Sequence, residues 1–187
     1  MVRSGSSSTR HTRSALPPPP PLSSRSIPPH YLSAGWPPVW WVGCHGGAGT
    51  STLARLTGLG VDFGATGWPV STQPSIPIAS VVLVCRASAT GTWAATGAVE
   101  QWKNKRLMPS MVRVLGVVAV AASARRTPRI ASERLQLLAG WVPKVWRVGW
   151  VEALLAAEDP HDVGMPPDVE ALRHAISRAV WSEAGSR

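Results

Sequence analysis

Gly43-Cys44-His45-Gly46-Gly47-Ala48-Gly49-Thr50-Ser51-Thr52 is the stretch of this chain whose residue types and spacing point most directly to chemistry. Glycines allow a tight turn and bring backbone N–H groups close to a bound anion. A helix starting just after them adds a favourable dipole. The hydroxyls of Thr50, Ser51 and Thr52 stand at that helix start, with Ser51 where such loops present the oxygen that holds a magnesium ion. A phosphate-binding loop of this kind reads Gly-x-x-x-x-Gly-Lys-Ser/Thr, and here Gly49 is followed by Thr50 instead of lysine. Losing one charge-assisted hydrogen bond to phosphate costs about 1.5–3 kcal/mol, or one to two decades of affinity. Catalysis suffers more, because the ammonium neutralises charge that develops in the transition state. His45 could supply part of that charge, although an unperturbed imidazole is mostly neutral at pH 7.

Other reactive residue types carry weaker signals. Cys44, His45 and Cys85 could converge at neighbouring strand ends, but they make an incomplete zinc set and no Cys-x-x-Cys pair accompanies them. Buried, inert thiols are the simpler reading. Ser88 and Thr90 read as a helix cap, and His161 between Asp159 and Asp162 reads as a solvated turn.

The elements that must position the glycine loop alternate along the chain. Val39 to Val42 is a short apolar run and Thr50 to Leu59 places leucines at helical spacing, which predicts strand then helix. Ser80 to Cys85 is a continuous apolar run, as a strand covered on both faces should be, and Val112 to Ala122 is a second such strand, broken only by Arg113 near its entrance. Between them Trp93, Ala95, Val99 and Trp102 share one helical face. Thr127-Pro128 predicts a cap and first-turn proline for a helix buried through Ala131, Leu135, Leu138 and Ala139 and ended by Gly140. Val145 to Val148 is a fourth strand, Val151 to Ala157 a short helix, and Pro166-Pro167-Asp168 opens a last helix with Val169, Leu172, Ile176 and Val180 inward. No strand is predicted between Leu59 and Ser80. Such alternation implies an α/β fold of three layers, a mostly parallel sheet with helices on both faces, and places ligands at the carboxyl ends of the strands.

Composition sets the frame. The chain has 187 residues, with 19 Lys+Arg against 10 Asp+Glu for a net charge of +9. Residues 1–38 are rich in Ser, Pro and Arg with few apolar anchors, so they read as a disordered basic tail, with Pro17 to Pro21 a possible ligand for an aromatic groove. Residues 39–187 are enough for one domain. The last helices are acidic: seven acids face three arginines from Val151 onward. Two cysteines suit a reduced cytoplasmic setting, and the longest uncharged apolar run is about half what a membrane-spanning helix needs. The basic excess fits an acidic protein partner. Nucleic acid or an anionic membrane surface could instead meet the tail and a patch of Lys103, Lys105, Arg106, Arg113, Arg125, Arg126 and Arg129. Of ten tryptophans, Trp36, Trp40 and Trp41 cluster before the glycine loop and Trp141, Trp146 and Trp150 around the fourth strand, positions expected to be core or edge cover.

His45-Gly46-Gly47-Ala48-Gly49-Thr50-Ser51 resembles the Lys-Gly-Gly-x-Gly-Lys-Thr/Ser loop of the MinD/ParA branch of P-loop NTPases, with both lysines replaced. Val81 to Arg86 is similar to the strand after that family's acidic motif, Val114-Leu115-Gly116-Val117-Val118 to its Val-x-Gly-Val-Val strand, and Trp146 to Trp150 to its Val-Pro-Tyr ending. Within the branch the chain looks most like small actinobacterial proteins with a His-Gly-Gly-Ala-Gly loop. The resemblance implies a reduced P-loop fold that takes ATP or ADP with magnesium through His45, Gly46, Gly47, Gly49, Thr50, Ser51 and Thr52, with Ser51 on the metal. The family's aspartates have one counterpart, Asp62, the interval Leu59 to Ser80 looks too short for the family's usual two strands, and its adenine-reading asparagine falls near Ala121. These departures imply a nucleotide-sensing or partner-binding regulator without efficient hydrolysis. A partner-activated ATPase, or a basic adaptor for nucleic acid or membrane, is the alternative.

Overall fold

A computed structural model of the chain describes residues 29–31, 39–70, 78–104 and 112–181. Its centre is a five-stranded sheet, parallel throughout, in the order β3-β2-β5-β6-β7, with β2 at Trp40–Gly43, β3 at Val61–Gly64, β5 at Ala79–Arg86, β6 at Val112–Val120 and β7 at Val145–Val148. The two longest apolar runs, β5 and β6, occupy inner positions, where covering layers bury residues of both pleat faces. Trp41, Val82, Val84 and Val118 face helices α1 (Thr50–Thr57) and α4 (Pro167–Trp181) through Leu53, Leu56, Leu172 and Ile176. On the opposite face Val81, Leu83, Val117 and Ala119 pack against α2 (Ala89–Lys103) and α3 (Arg129–Ala139) through Ala94, Ala95, Ala98, Leu135 and Leu138. This is the expected three-layer arrangement.

Local chemistry sets the helix ends. α1 stops at Gly58, whose φ of 63° lets its N–H return to the carbonyls of Ala54 and Arg55. α2 begins at Ser88, whose hydroxyl accepts from Gly91 N at 3.0 Å, as expected of a cap. Its buried stripe is Gly91, Ala94, Ala95, Ala98 and Val99, and the expected Trp93 and Trp102 flank it half-buried. Small residues bring the helix close to the sheet, and the bulky rings seal its edges.

Several expectations are corrected. The α3 cap is Pro128 itself, with no side-chain bond from Thr127, and Ala139 is exposed. Gly140 ends α3, as expected, in a right-handed conformation, with its N–H on Leu137 O while Leu138 O accepts from Trp141 N and Val142 N. The short helix after β7 is a single 3-10 segment, Glu152–Leu155. Between Leu59 and Ser80 two short strands form: β3 on the sheet edge and β4 (Trp68–Val70), which pairs in parallel with β1 (Pro29–Tyr31) as a separate two-stranded sheet. β3 is exposed along half its length and β4 is only three residues around Pro69, so neither carries the strand signal of a longer apolar run. Pro29–Tyr31 lies within the segment read as tail. The rest of residues 1–38, including Pro17 to Pro21 and Trp36, lies outside the described residues. Among the described residues no helix is long and apolar enough to cross a membrane.

Candidate functional site

The chain leaves β2 through α1 to β3 on one side, then returns to β5 on the other side of β2. Crevices outside the carboxyl ends of strands open at such a reversal. The glycine loop sits there. Cys44 N continues the ladder to Val84 O at 2.8 Å, after which the chain turns through Gly47 at φ 69° and Gly49 at φ 103°. Gly49 is the residue before α1, and no side chain caps the helix and no acid stands in its first turn. Gly46 and Gly47 are exposed, and a Cβ on either would meet nothing within 4 Å. The loop is therefore an open turn whose helix start has no competing acceptor of its own.

The remaining residues of the expected set divide. Ser51 is exposed, Thr52 lines a cavity beside the loop, and Thr50 is buried at 8% exposure in the position a lysine would hold. His45 turns onto the protein: its Nε2 accepts the Arg86 backbone N–H at 3.1 Å and its Nδ1 donates to Gly46 O at 2.8 Å. A backbone N–H can only donate, so Nε2 must be the bare nitrogen and Nδ1 the protonated one. The bond from Arg86 N requires a bare Nε2, so this geometry does not use the partial charge that His45 could supply.

A cation missed by the sequence reading stands at the loop. Arg86 ends β5, and its Nε donates to Gly47 O at 3.1 Å, 39 residues earlier in the chain, while Nη1 donates to Ala121 O at 3.1 Å. Its guanidinium therefore bridges the glycine loop and the chain leaving β6. The available signal was a charge that terminates an otherwise wholly apolar strand, Val81 to Cys85, next to the loop strand. Arg86 also lines a cavity of about 200 Å³ with Gly49, Thr52, Leu53, Trp150 and Leu154. A second cavity of about 200 Å³ shares Ala121, Val148 and Gly149 with it and continues to Thr127, Arg147 and Asp168. The Asp168 carboxylate accepts Gly149 N at 3.1 Å and so fixes the turn between the two cavities.

The thiols fit the inert reading. The register Gly43↔Val84 sets Cys44 beside Cys85 at the root of the loop, and both are free and buried in the same core cluster. Burial pushes both thiols up, Cys85 to about 12, with the neighbouring Cys85 adding to the effect at Cys44. An unfolded thiol ionises near about 8.5. The folded state therefore disfavours thiolate, so this contribution to stability is complete below about pH 8.5 and is lost as pH rises toward the folded values. Native protein at pH 8 should label with a thiol reagent far more slowly than protein in denaturant. Equal rates would contradict the burial.

Asp62 is exposed on β3, and its Oδ1 accepts Gly64 N at 2.9 Å. His161 is exposed, and its N–H goes to Asp159 Oδ1 at 2.9 Å, the turn geometry expected there. The basic patch is not one surface. Arg113 lies at the start of β6, with Nη2 on Ser80 Oγ at 3.0 Å, whereas Arg125, Arg126 and Arg129 follow the strand's far end. That is more than about 20 Å at the rise of an extended strand. Arg129 is paired with Glu133 at 2.8 Å, Lys103 lies over the Trp141 ring at 5.3 Å, and Lys105 and Arg106 lie outside the described residues. The tryptophans are likewise dispersed: Trp40 and Trp41 are core, Trp141 is exposed, and Trp150 lines the loop cavity. No protein-family model matches this chain, and no curated protein or solved structure does so either.

Proposed function

We propose that this chain is a degenerate P-loop domain of the MinD/ParA kind that binds a nucleotide weakly at Gly46 to Thr52 and acts through a protein partner without efficient turnover. The observation that carries the reading is the open glycine loop at the strand reversal, continuous with a cavity that offers a guanidinium at one end and apolar and indole surface at the other. A phosphate would meet the loop and a flat base the apolar wall, the usual composition of a small-molecule site. The cavity, about 200 Å³, lies below the ~300 Å³ lower bound of most ligand pockets, which favours weak binding. Thr50 supports the absence of efficient hydrolysis, because a buried hydroxyl cannot neutralise phosphoryl charge as an ammonium does.

The residues present do not fit a magnesium ion well. Magnesium demands near-octahedral oxygen coordination. The loop offers the Ser51 hydroxyl, Asp62 is engaged with Gly64 N, and among the described residues no three His, Cys, Asp or Glu side chains cluster. Titrating ATP and ADP by calorimetry tests the reading, with expected dissociation constants of tens of micromolar to millimolar and phosphate release at background. No heat at millimolar nucleotide would remove the nucleotide claim, and rapid release without a partner would remove the claim of weak turnover.

A further inference from the structure

We infer that Arg86 takes the place of both the missing lysine and the metal, so that this site accepts nucleotides free of magnesium, as bare phosphate anions. The inference rests on the proposed nucleotide reading and adds which residue and which ionic form of the ligand are involved. A guanidinium has five N–H donors in a fixed plane. Two are used, on Gly47 O and Ala121 O, and the other three have no acceptor among the described residues. Those three belong to a half-buried group that lines the cavity beside Gly49, where the loop turns into α1.

The group is also preorganised. The two carbonyls hold the guanidinium from opposite sides of the crevice. The Arg86 main chain is fixed by its N–H on His45 Nε2 at 3.1 Å, and α2 is pressed against it at Gly91, where a Cβ would lie 2.2 Å from Arg86 O. An arginine already ordered loses little rotamer freedom on meeting phosphate, and its planar fork suits two phosphate oxygens at once. A divalent ion on Ser51 would place further positive charge at the mouth of a loop that already holds this guanidinium. A magnesium-bound triphosphate is therefore the poorer ligand, and a metal-free di- or triphosphate the better one.

The test is calorimetry of ADP, ATP and adenosine against the full chain, once with a chelator and once with excess magnesium. Affinity for ADP and ATP is expected to be higher with chelator than with excess magnesium. Arg86→Gln should lower ADP affinity by roughly 10- to 100-fold while leaving adenosine affinity unchanged. Arg86→Lys should recover only part of the loss, because a point charge cannot hold two carbonyls and a phosphate together. Binding as tight or tighter in excess magnesium would overturn the inference and leave the nucleotide reading standing, as would Arg86→Gln binding ADP as wild type does. If wild type binds neither nucleotide in either buffer, both fall. Should Arg86→Gln fail to fold, the magnesium comparison on the wild type decides the matter alone.

Discussion

Trp41→Ala is expected to lower the unfolding free energy by about 3–5 kcal/mol, a large part of the roughly 5–15 kcal/mol that holds an ordinary domain together. Trp41 is fully buried on β2 and belongs to the cluster formed with Leu53, Leu56, Leu172 and Ile176 under α1 and α4. Its removal opens a cavity between the sheet and both helices of that layer. It also takes away the donor for Leu59 O, the carbonyl just past the end of α1, which receives the indole Nε1–H. Trp41→Phe separates the two effects. It keeps most of the apolar volume and loses the hydrogen bond, so it should cost about 1–3 kcal/mol. Denaturant unfolding followed through the midpoint checks both, and a Trp41→Ala midpoint within error of wild type would refute the packing assigned to this layer.

Gly91→Ala and Gly97→Ala should act in opposite directions although both lie in α2. Alanine is the better helix former by about 0.8–1 kcal/mol, and at Gly97 a Cβ meets nothing within 4 Å, so that variant should gain most of this amount. At Gly91 the Cβ would fall 2.2 Å from Arg86 O and 3.1 Å from Arg86 N, both backbone atoms with no side-chain torsion to relieve the overlap. Overpacking of this kind costs about 1–3 kcal/mol or more, which exceeds the helix gain. The relief available is a shift of α2 and the end of β5 apart, which takes away the backbone packing that helps hold Arg86 at the glycine loop. Gly91→Ala should therefore lose stability and nucleotide affinity together, and Gly97→Ala should lose neither. Unfolding midpoints and ADP titration of the pair provide the measurement. A stabilised Gly91→Ala with wild-type affinity would show that α2 does not fix Arg86.

The sequence by itself determined the layer order and the place of the loop, because those signals are local. Runs such as Val81 to Cys85 and Val114 to Val120 are apolar on both pleat faces, which requires cover on both sides, and the apolar stripes Leu53 and Leu56 on α1 and Val169, Leu172 and Ile176 on α4 state which helix faces provide it. The glycines of Gly43 to Gly49 mark a turn that a side chain would strain, and Ser88 marks a helix start through a bond only three residues long. β3 and β4 escaped because their three or four residues carry glycine, proline or exposed positions, and they are held by partners elsewhere in the chain. The basic patch failed for the same reason. Residues close in sequence were separated by the length of β6.

Only the tertiary structure decided which side chains attend the loop. The reversal of strand order at β2 brings β5 alongside it, and the register Gly43↔Val84 sets Arg86 level with the turn. That register turns His45 into a neutral acceptor for Arg86 and makes Arg86 the charge nearest the glycines. Periodicity records which face of an element is buried. It carries no information on which two elements meet, because that is fixed by long-range strand pairing, and the position of a single guanidinium follows from that pairing alone.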